Sequence, residues 1–342
     1  MREKPLGPLM VDVAGLELVT DDREILSHPL VGGAILFTRN FAAREQLSGL
    51  VRQLREVRPD LLVAVDYEGG RVQRFRQEFT PLPPMRRLGQ QYDADPSQAL
   101  ELASHIGWLI GAELRAADVD LSLAPVLDLD GGVSAVIGDR SFHATVDGVS
   151  DLAGALMEGL KATGMAATGK HYPGHGQVVE DSHAALPVDR RSYAEVRAQD
   201  IEPFARLIAR GLPSVMMAHI RFPAVDSLPA SLSPRWIQQH LREELGFGGA
   251  VFCDDLSMHG AAVVGGYVER AEAALAAGCD MLPVCNNRAA VVELLDQLRV
   301  PPSVAGAARL QKLQGQPAVA GFDGLPKHAR WQQAQAALRT LV

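Results

Sequence analysis

The segment 169–187, GKHYPGHGQVVEDSHAALP, gathers five side chains that can bind or move protons: Lys170, His171, His175, Asp181 and His183. Asp181 and His183 stand two apart, close enough to turn toward each other within a loop. A carboxylate on one ring nitrogen fixes the imidazole tautomer and raises its pKa, which leaves the other nitrogen as an acid or base near neutral pH. A solvated surface pair would read the same way. A Ser-His-Asp hydrolase would need a nucleophilic serine on an elbow; the chain has no GxSxG, and Ser182 lies between its supposed partners. Three glycines and two prolines interrupt the segment, so a long shaped loop is expected.

A second candidate lies some seventy residues on. Asp254 follows Val251, Phe252 and Cys253, which places its carboxylate at the end of a rigid apolar strand, where it can serve as a nucleophile toward an electrophilic carbon. The alternative is a helix N-cap, a task Asp255 or Ser257 would perform as well.

His171, His175, Asp181 and His183, with His219 and Asp254, could also be weighed as zinc ligands. TyrProGly separates His171 from His175, so their spacing is not helical, and Lys170 adds a positive charge beside the site; no metal is expected. Arg74 and Arg140 follow glycine-containing turns. With Asp66 and Lys170 they make a polar ring suited to a ligand with several hydroxyls, such as a glycan. A structural ion-pair network is the other reading of any single member.

These residues need a frame that brings them together. Eight short apolar runs with strand character recur: 9–13, 34–37, 61–65, 119–123, 165–168, 214–218, 250–253 and 281–284. Between them lie stretches of helical period, at 45–57, 97–116, 151–163, 193–210, 234–244, 269–277 and 287–298, several of which end in Gly (Gly164, Gly211, Gly246, Gly278). Continuous rather than alternating apolar strands fit a parallel sheet covered on both faces. The expected fold is α/β, a (β/α)8 TIM-type barrel in one domain over 1–300, with a short helical appendage at 301–342 packed on the barrel wall. A doubly wound sheet is the runner-up, but the glycine fingerprint it favours after the first strand is missing. In a barrel, functional side chains collect past the C-terminal strand ends. Thr38, Arg39, Asp66, Glu68, Asp128, Lys170, His171, His219, Asp254, Asp255, Asn286 and Asn287 all fall there.

Composition narrows the partners. The chain carries 33 basic and 41 acidic residues, a net charge of −8, and no basic run to track a phosphate backbone, which argues against nucleic acid. The N-terminal apolar run, broken by Pro8 and Asp12, is too short for a signal peptide or membrane span, so a cytoplasmic protein is expected. Cys253, Cys279 and Cys285 lack CxxC spacing and read as buried free thiols.

Four motifs together resemble one family. AlaValAspTyrGluGlyGlyArgValGlnArgPhe at 64–75, IleGlyAspArgSerPhe at 137–142, LysHisTyrProGlyHisGly at 170–176 with AspSerHis at 181–183, and CysAspAspLeuSerMet at 253–258 are similar to motifs of glycoside hydrolase family 3. The resemblance is to its single-domain bacterial β-N-acetylglucosaminidases, the NagZ-type enzymes of peptidoglycan recycling, and it covers the chain from about Leu9 to Arg288. It implies retaining cleavage of terminal β-linked N-acetylglucosamine from muropeptides, without a cofactor. It makes Asp254 the nucleophile, His183 the acid/base supported by Asp181, and Asp66, Arg74, Arg140, Lys170 and His171 the sugar-binding positions. Tyr172, Tyr67 and Cys253 depart from the residues common in the motifs without removing a functional group. A phosphorylase on the same scaffold is an alternative, because neutral imidazole does not repel incoming phosphate; a non-catalytic sugar sensor is a third reading, which would need no nucleophile.

Overall fold

The structure is a computed structural model that describes residues 5–182, 185–300 and 303–339. Eight parallel strands form its centre: β1 (Leu9–Asp12), β2 (Val31–Leu36), β3 (Leu62–Val65), β4 (Leu121–Ser122), β5 (Thr168–Tyr172), β6 (Ser214–Met217), β7 (Ala250–Phe252) and β8 (Leu282–Val284). Ladders run β8-β1-β2-β3-β4 and β5-β6-β7. The bridges Leu121 to Ala166 and Val126 to Lys170 join β4 to β5, and Phe252 to Met281 joins β7 to β8, so the circle closes. The registers place Leu9 beside Leu282, Gly33 beside Leu62 and Val215 beside Val251.

All the strands but β5 are largely apolar because each has two apolar faces to fill. Met10, Ile35, Leu62, Ala64, Leu121, Met216, Ala250 and Phe252 point into one inner cluster. Their neighbours Leu9, Val11, Val63, Val65, Val215 and Val251 pack outward into the helix layer. Period-two alternation thus separates two buried faces rather than core from solvent.

The helices hold the strands at fixed spacing. Helices Pro96–Ala116 and Val146–Lys161 cross so closely that a Cβ on Gly107 would lie 2.1 Å from the Leu156 carbonyl oxygen, and one on Gly159 would lie 2.3 Å from that of Ser104. Only glycine fits either place. Gly164, Gly211, Gly246 and Gly278 have φ of 76, 88, 66 and 113°, as expected of residues that end helices before the next strand.

Three features differ from the expectation. β5 begins where the apolar run 165–168 ends, so Lys170 and His171 are strand residues rather than loop residues; their polar groups are satisfied by carboxylates from neighbouring strand ends. The helix expected over 193–210 is two, Tyr193–Ala198 and Glu202–Ala209, since Pro203 is accepted only in a first turn and starts the second. In the 301–342 segment, helix Val304–Gln311 closes the N-terminal end of the barrel, where Ala307, Leu310 and Leu313 join Leu6 in the inner cluster. Asp280 anchors it through Arg309 at 2.5 Å. Helix Ala329–Leu338 instead lies against Pro96–Ala116 on the outer layer.

Candidate active site

At the C-terminal mouth, β3 delivers Asp66 directly, and a short hairpin of Tyr67–Gly69 against Val72–Gln73 carries Glu68 and leads to Arg74. The hairpin is held by Gln73 Nε2 donating to Tyr67 Oη at 2.8 Å and Ser122 Oγ donating to the Tyr67 carbonyl at 2.7 Å. From β5, Lys170 Nζ reaches Asp66 Oδ1 at 2.8 Å and Glu68 Oε1 at 2.6 Å. Arg140, in the 3-10 turn Gly138–Arg140, pairs with both oxygens of Glu68 at 2.8 Å. Arg74 lies 3.5 Å from Asp66, and its buried Nε has no hydrogen-bond partner among the described residues.

Two carboxylates and two cations thus share a nearly dry corner, and their charges set one another. Burial alone would raise the Glu68 carboxyl; Arg140 and Lys170 outweigh it and hold the group far below the usual carboxylate range. Asp66 is likewise lowered, against burial, chiefly by Lys170. Burial would lower Lys170, yet Asp66 and Glu68 raise it above an ordinary lysine. All of these groups are therefore charged at neutral pH, and Asp66 still opens part of its carboxylate to the cavity.

Asp128, past β4, organises the other side. Its fully buried carboxylate accepts His171 Nδ1–H at 2.7 Å, the His171 backbone N–H at 3.2 Å and the His175 backbone N–H at 2.7 Å. Burial would raise its pKa, but His171 and these hydrogen bonds bring it below the ordinary value. The bond to Nδ1 fixes the His171 ring and leaves Nε2 as its second polar atom.

Asp254 follows β7 through the buried Cys253, and its Oδ1 accepts the Asp255 N–H at 2.9 Å. It caps no helix: the next helical element is the 3-10 segment His259–Val264, whose cap position is Met258. Asp255 performs the structural work instead, accepting from Ser257 N–H at 2.9 Å, Ser257 Oγ at 2.6 Å and Cys285 N–H at 3.0 Å. His219, past β6, braces the same turn, with Nε2 at 3.0 Å from the Asp255 carbonyl and Nδ1 at 2.6 Å from Ser231 Oγ.

One cavity of about 640 Å³ is lined by Asp66, Arg74, Arg140, Lys170, His171, Asp181 and Asp254, with Phe37, Leu123 and Met216 as apolar wall. Every described site residue expected from the sequence lines it; His183 lies outside the described residues. The volume suits a small polar ligand, and the alternation of apolar wall with convergent charged groups suits a sugar. Glu68, Asp128 and His175 belong to the same constellation. Sequence reasoning counted Glu68 and Asp128 among the residues past strand ends and gave them no role; their signal was position alone.

Of the residues weighed as metal ligands, His171 Nδ1 is occupied by Asp128 and both nitrogens of His219 are engaged. Among the described residues no three His, Cys, Asp or Glu side chains are gathered as a metal ion requires. The three cysteines are free and buried. No described helix is long and apolar enough to cross a membrane.

Residues 4–312 match the family described as glycosyl hydrolase family 3 N terminal domain. The chain is 51% identical over 313 residues to a beta-hexosaminidase of Nitrosospira multiformis, covering 91% of this chain and 90% of that protein. It is also 51% identical over 339 residues to a beta-hexosaminidase of Chromobacterium violaceum, covering 99% and 95%. Among solved structures it resembles NagZ from Neisseria gonorrhoeae in complex with N-trifluoroacetyl-D-glucosamine, with a TM-score of 0.93, 43% identity, and coverage of 100% of this chain and 99% of that one.

Proposed function

The chain belongs to glycosyl hydrolase family 3, and we propose that it is an exo-β-N-acetylglucosaminidase that removes terminal β-linked N-acetylglucosamine from peptidoglycan fragments. It is a glycoside hydrolase of the β-N-acetylhexosaminidase type, and it works on the glycan without a cofactor. The observation that carries the reading is the convergence of Asp254, Asp181 and the Asp66–Arg74–Arg140–Lys170–His171 set on one barrel-mouth cavity. The natural substrate class is a muropeptide in which N-acetylglucosamine is linked to anhydro-N-acetylmuramic acid, and the cytoplasm is the compartment that fits such recycling.

The sugar-binding groups hold the terminal residue by charge-assisted hydrogen bonds to its hydroxyls, with Asp66 accepting and Arg74, Lys170 and His171 within reach. Asp254 attacks the anomeric carbon as the bond to the leaving oxygen breaks, and protonated His183 gives that oxygen its proton. A glycosyl ester on Asp254 results. Water then attacks the same carbon, loses its proton to the now neutral His183, and frees Asp254 as a carboxylate. Two displacements give net retention. Most retaining glycosidases use a second carboxylate as acid/base; here the Asp181–His183 pair takes that part, with Asp181 orienting the imidazole and stabilising its charged form.

The reading is tested by product identification after incubation with an aryl β-N-acetylglucosaminide in phosphate buffer containing a chelator. Free N-acetylglucosamine, released first as the β-anomer, is expected. Its 1-phosphate would replace the hydrolase with a phosphorylase, and absence of cleavage would leave a sugar sensor. A further expectation concerns Asp128: in Asp128→Asn, loss of the charge and of one acceptor oxygen loosens His171, and KM should rise about tenfold as one buried hydrogen bond is forfeited. Steady-state kinetics on the same substrate measure this, and an unchanged KM would separate Asp128 from sugar binding.

A further inference from the structure

Of the three residues AspSerHis at 181–183, Ser182 alone has no chemistry in the proposed reaction, yet the fold buries it. It is 2% exposed, while Asp181 before it is exposed and Val179, three residues back, is 68% exposed. Its side-chain Oγ lies 3.3 Å from His175 Nε2. Its carbonyl accepts the Gly260 N–H at 3.0 Å. Gly260 sits in the segment that follows Asp254, where a Cβ would lie 2.8 Å from His219 Cβ, so its packing on His219 favours glycine.

His175 is itself fixed from three sides. Its N–H is held by Asp128 at 2.7 Å, its ring meets His171 edge to face with centroids 6.0 Å apart, and the next residue, Gly176, passes so near the Leu129 carbonyl that a Cβ would lie 1.7 Å from that oxygen. Burial, with His171 adding to it, lowers the His175 pKa, so the ring meets the serine hydroxyl as neutral imidazole. The polar corner around Asp128 is thereby connected, through one side chain, to the end of the exposed run 179–181.

We propose that Ser182 and His175 are positioning residues for the acid/base step: the Ser182–His175 hydrogen bond and the Ser182–Gly260 backbone bond fix the point in the chain from which Asp181 and His183 extend. Asp181 and His183 are the direct chain neighbours of Ser182, so holding Ser182 restricts how far the chain can carry either of them from that point. Loss of the hydroxyl removes one of these two holds, leaves the Gly260 backbone bond, and alters no side chain of the nucleophile or the sugar-binding set. The inference rests on the assignment of Asp181 and His183 as the acid/base pair.

The test compares kcat/KM across a series of aryl β-N-acetylglucosaminides of decreasing leaving-group acidity, for wild type, Ser182→Ala, Ser182→Thr and His183→Ala, with thermal melting of each. In Ser182→Ala, a misplaced acid should cost about tenfold or more on the poorest leaving group and no more than about threefold on the best, which needs little protonation. Ser182→Thr, which keeps the hydroxyl, should restore the wild-type slope. His183→Ala should show the same tilt, larger. A uniform loss across the series in Ser182→Ala, as a merely structural role would give, overturns the proposal, and so does an unchanged series. If His183→Ala itself shows no tilt, the acid/base assignment fails and takes this inference with it; a tilt in His183→Ala but not in Ser182→Ala refutes the positioning role alone.

Discussion

Asp254→Ala is expected to lower kcat on an aryl β-N-acetylglucosaminide by about 10⁴-fold or more, the scale on which an enzyme loses its covalent nucleophile. The loss should fall on turnover and leave the affinity for N-acetylglucosamine within about threefold of wild type, because the groups that hold the sugar are anchored by one another and by Asp128. Lys170, Asp66, Glu68 and Arg140 form a closed set of ion pairs, and His171 is fixed by Asp128. Removing the carboxylate also opens a space on the face of the sugar from which it attacks. Azide can enter there, displace an activated aryl oxide from C1, and give the α-glycosyl azide, of opposite anomeric configuration to the substrate. Detecting that product by NMR would identify Asp254 as the group lost. Turnover within tenfold of wild type, or rescue that yields the β-azide, would place the nucleophile at another residue.

Much of this constellation could be read from the chain because barrels concentrate chemistry at strand ends, and seven of the eight strands announce themselves as apolar runs. β5 is the exception, and the reason is electrostatic. ThrGlyLysHisTyr has no local strand signal; it pairs with β6 because Lys170 and His171 are neutralised by Asp66, Glu68 and Asp128, the nearest of them 43 residues away in sequence. Local periodicity reports a residue's own preference and is silent about a partner that distant. The same limit applies to Asp128 and Ser182. Asp128 lies in an unremarkable ValLeuAspLeuAsp, and its three donors come from the backbone and ring of another loop. Ser182 reads in the sequence only as a serine misplaced for a triad, while its contact to His175 depends on a turn that spacing does not encode. Asp254 and Asp255 illustrate the converse: adjacent, identical in type and both lining the cavity, they are told apart only by geometry, which ties the Asp255 carboxylate to Ser257 and Cys285.

The buried ion pairs behind the sugar site predict a large stability effect. Lys170→Met keeps the length of the side chain and removes the one cation that touches both Asp66 and Glu68. Glu68 retains the two bonds from Arg140, but Asp66 is left with Arg74 at 3.5 Å and a second carboxylate beside it. Stripping one partner from a buried pair is expected to cost about 3 kcal/mol, since the remaining charge loses its compensation but keeps its desolvation. The pH dependence distinguishes this cause from a packing defect. In the wild type both carboxyls have pKa values below their unfolded ones, so the stability they contribute is present above the unfolded pKa and is lost as pH falls through the folded one. Lys170→Met raises those folded values and removes part of that contribution. The gap between variant and wild type should therefore be widest near neutral pH and narrow in acid, where protonation relieves the unpaired charge. Denaturant unfolding of both proteins across that range measures it. A gap that stayed constant with pH, or widened in acid, would mean that Lys170 is held there for its packing and that the charges around it are balanced by other groups.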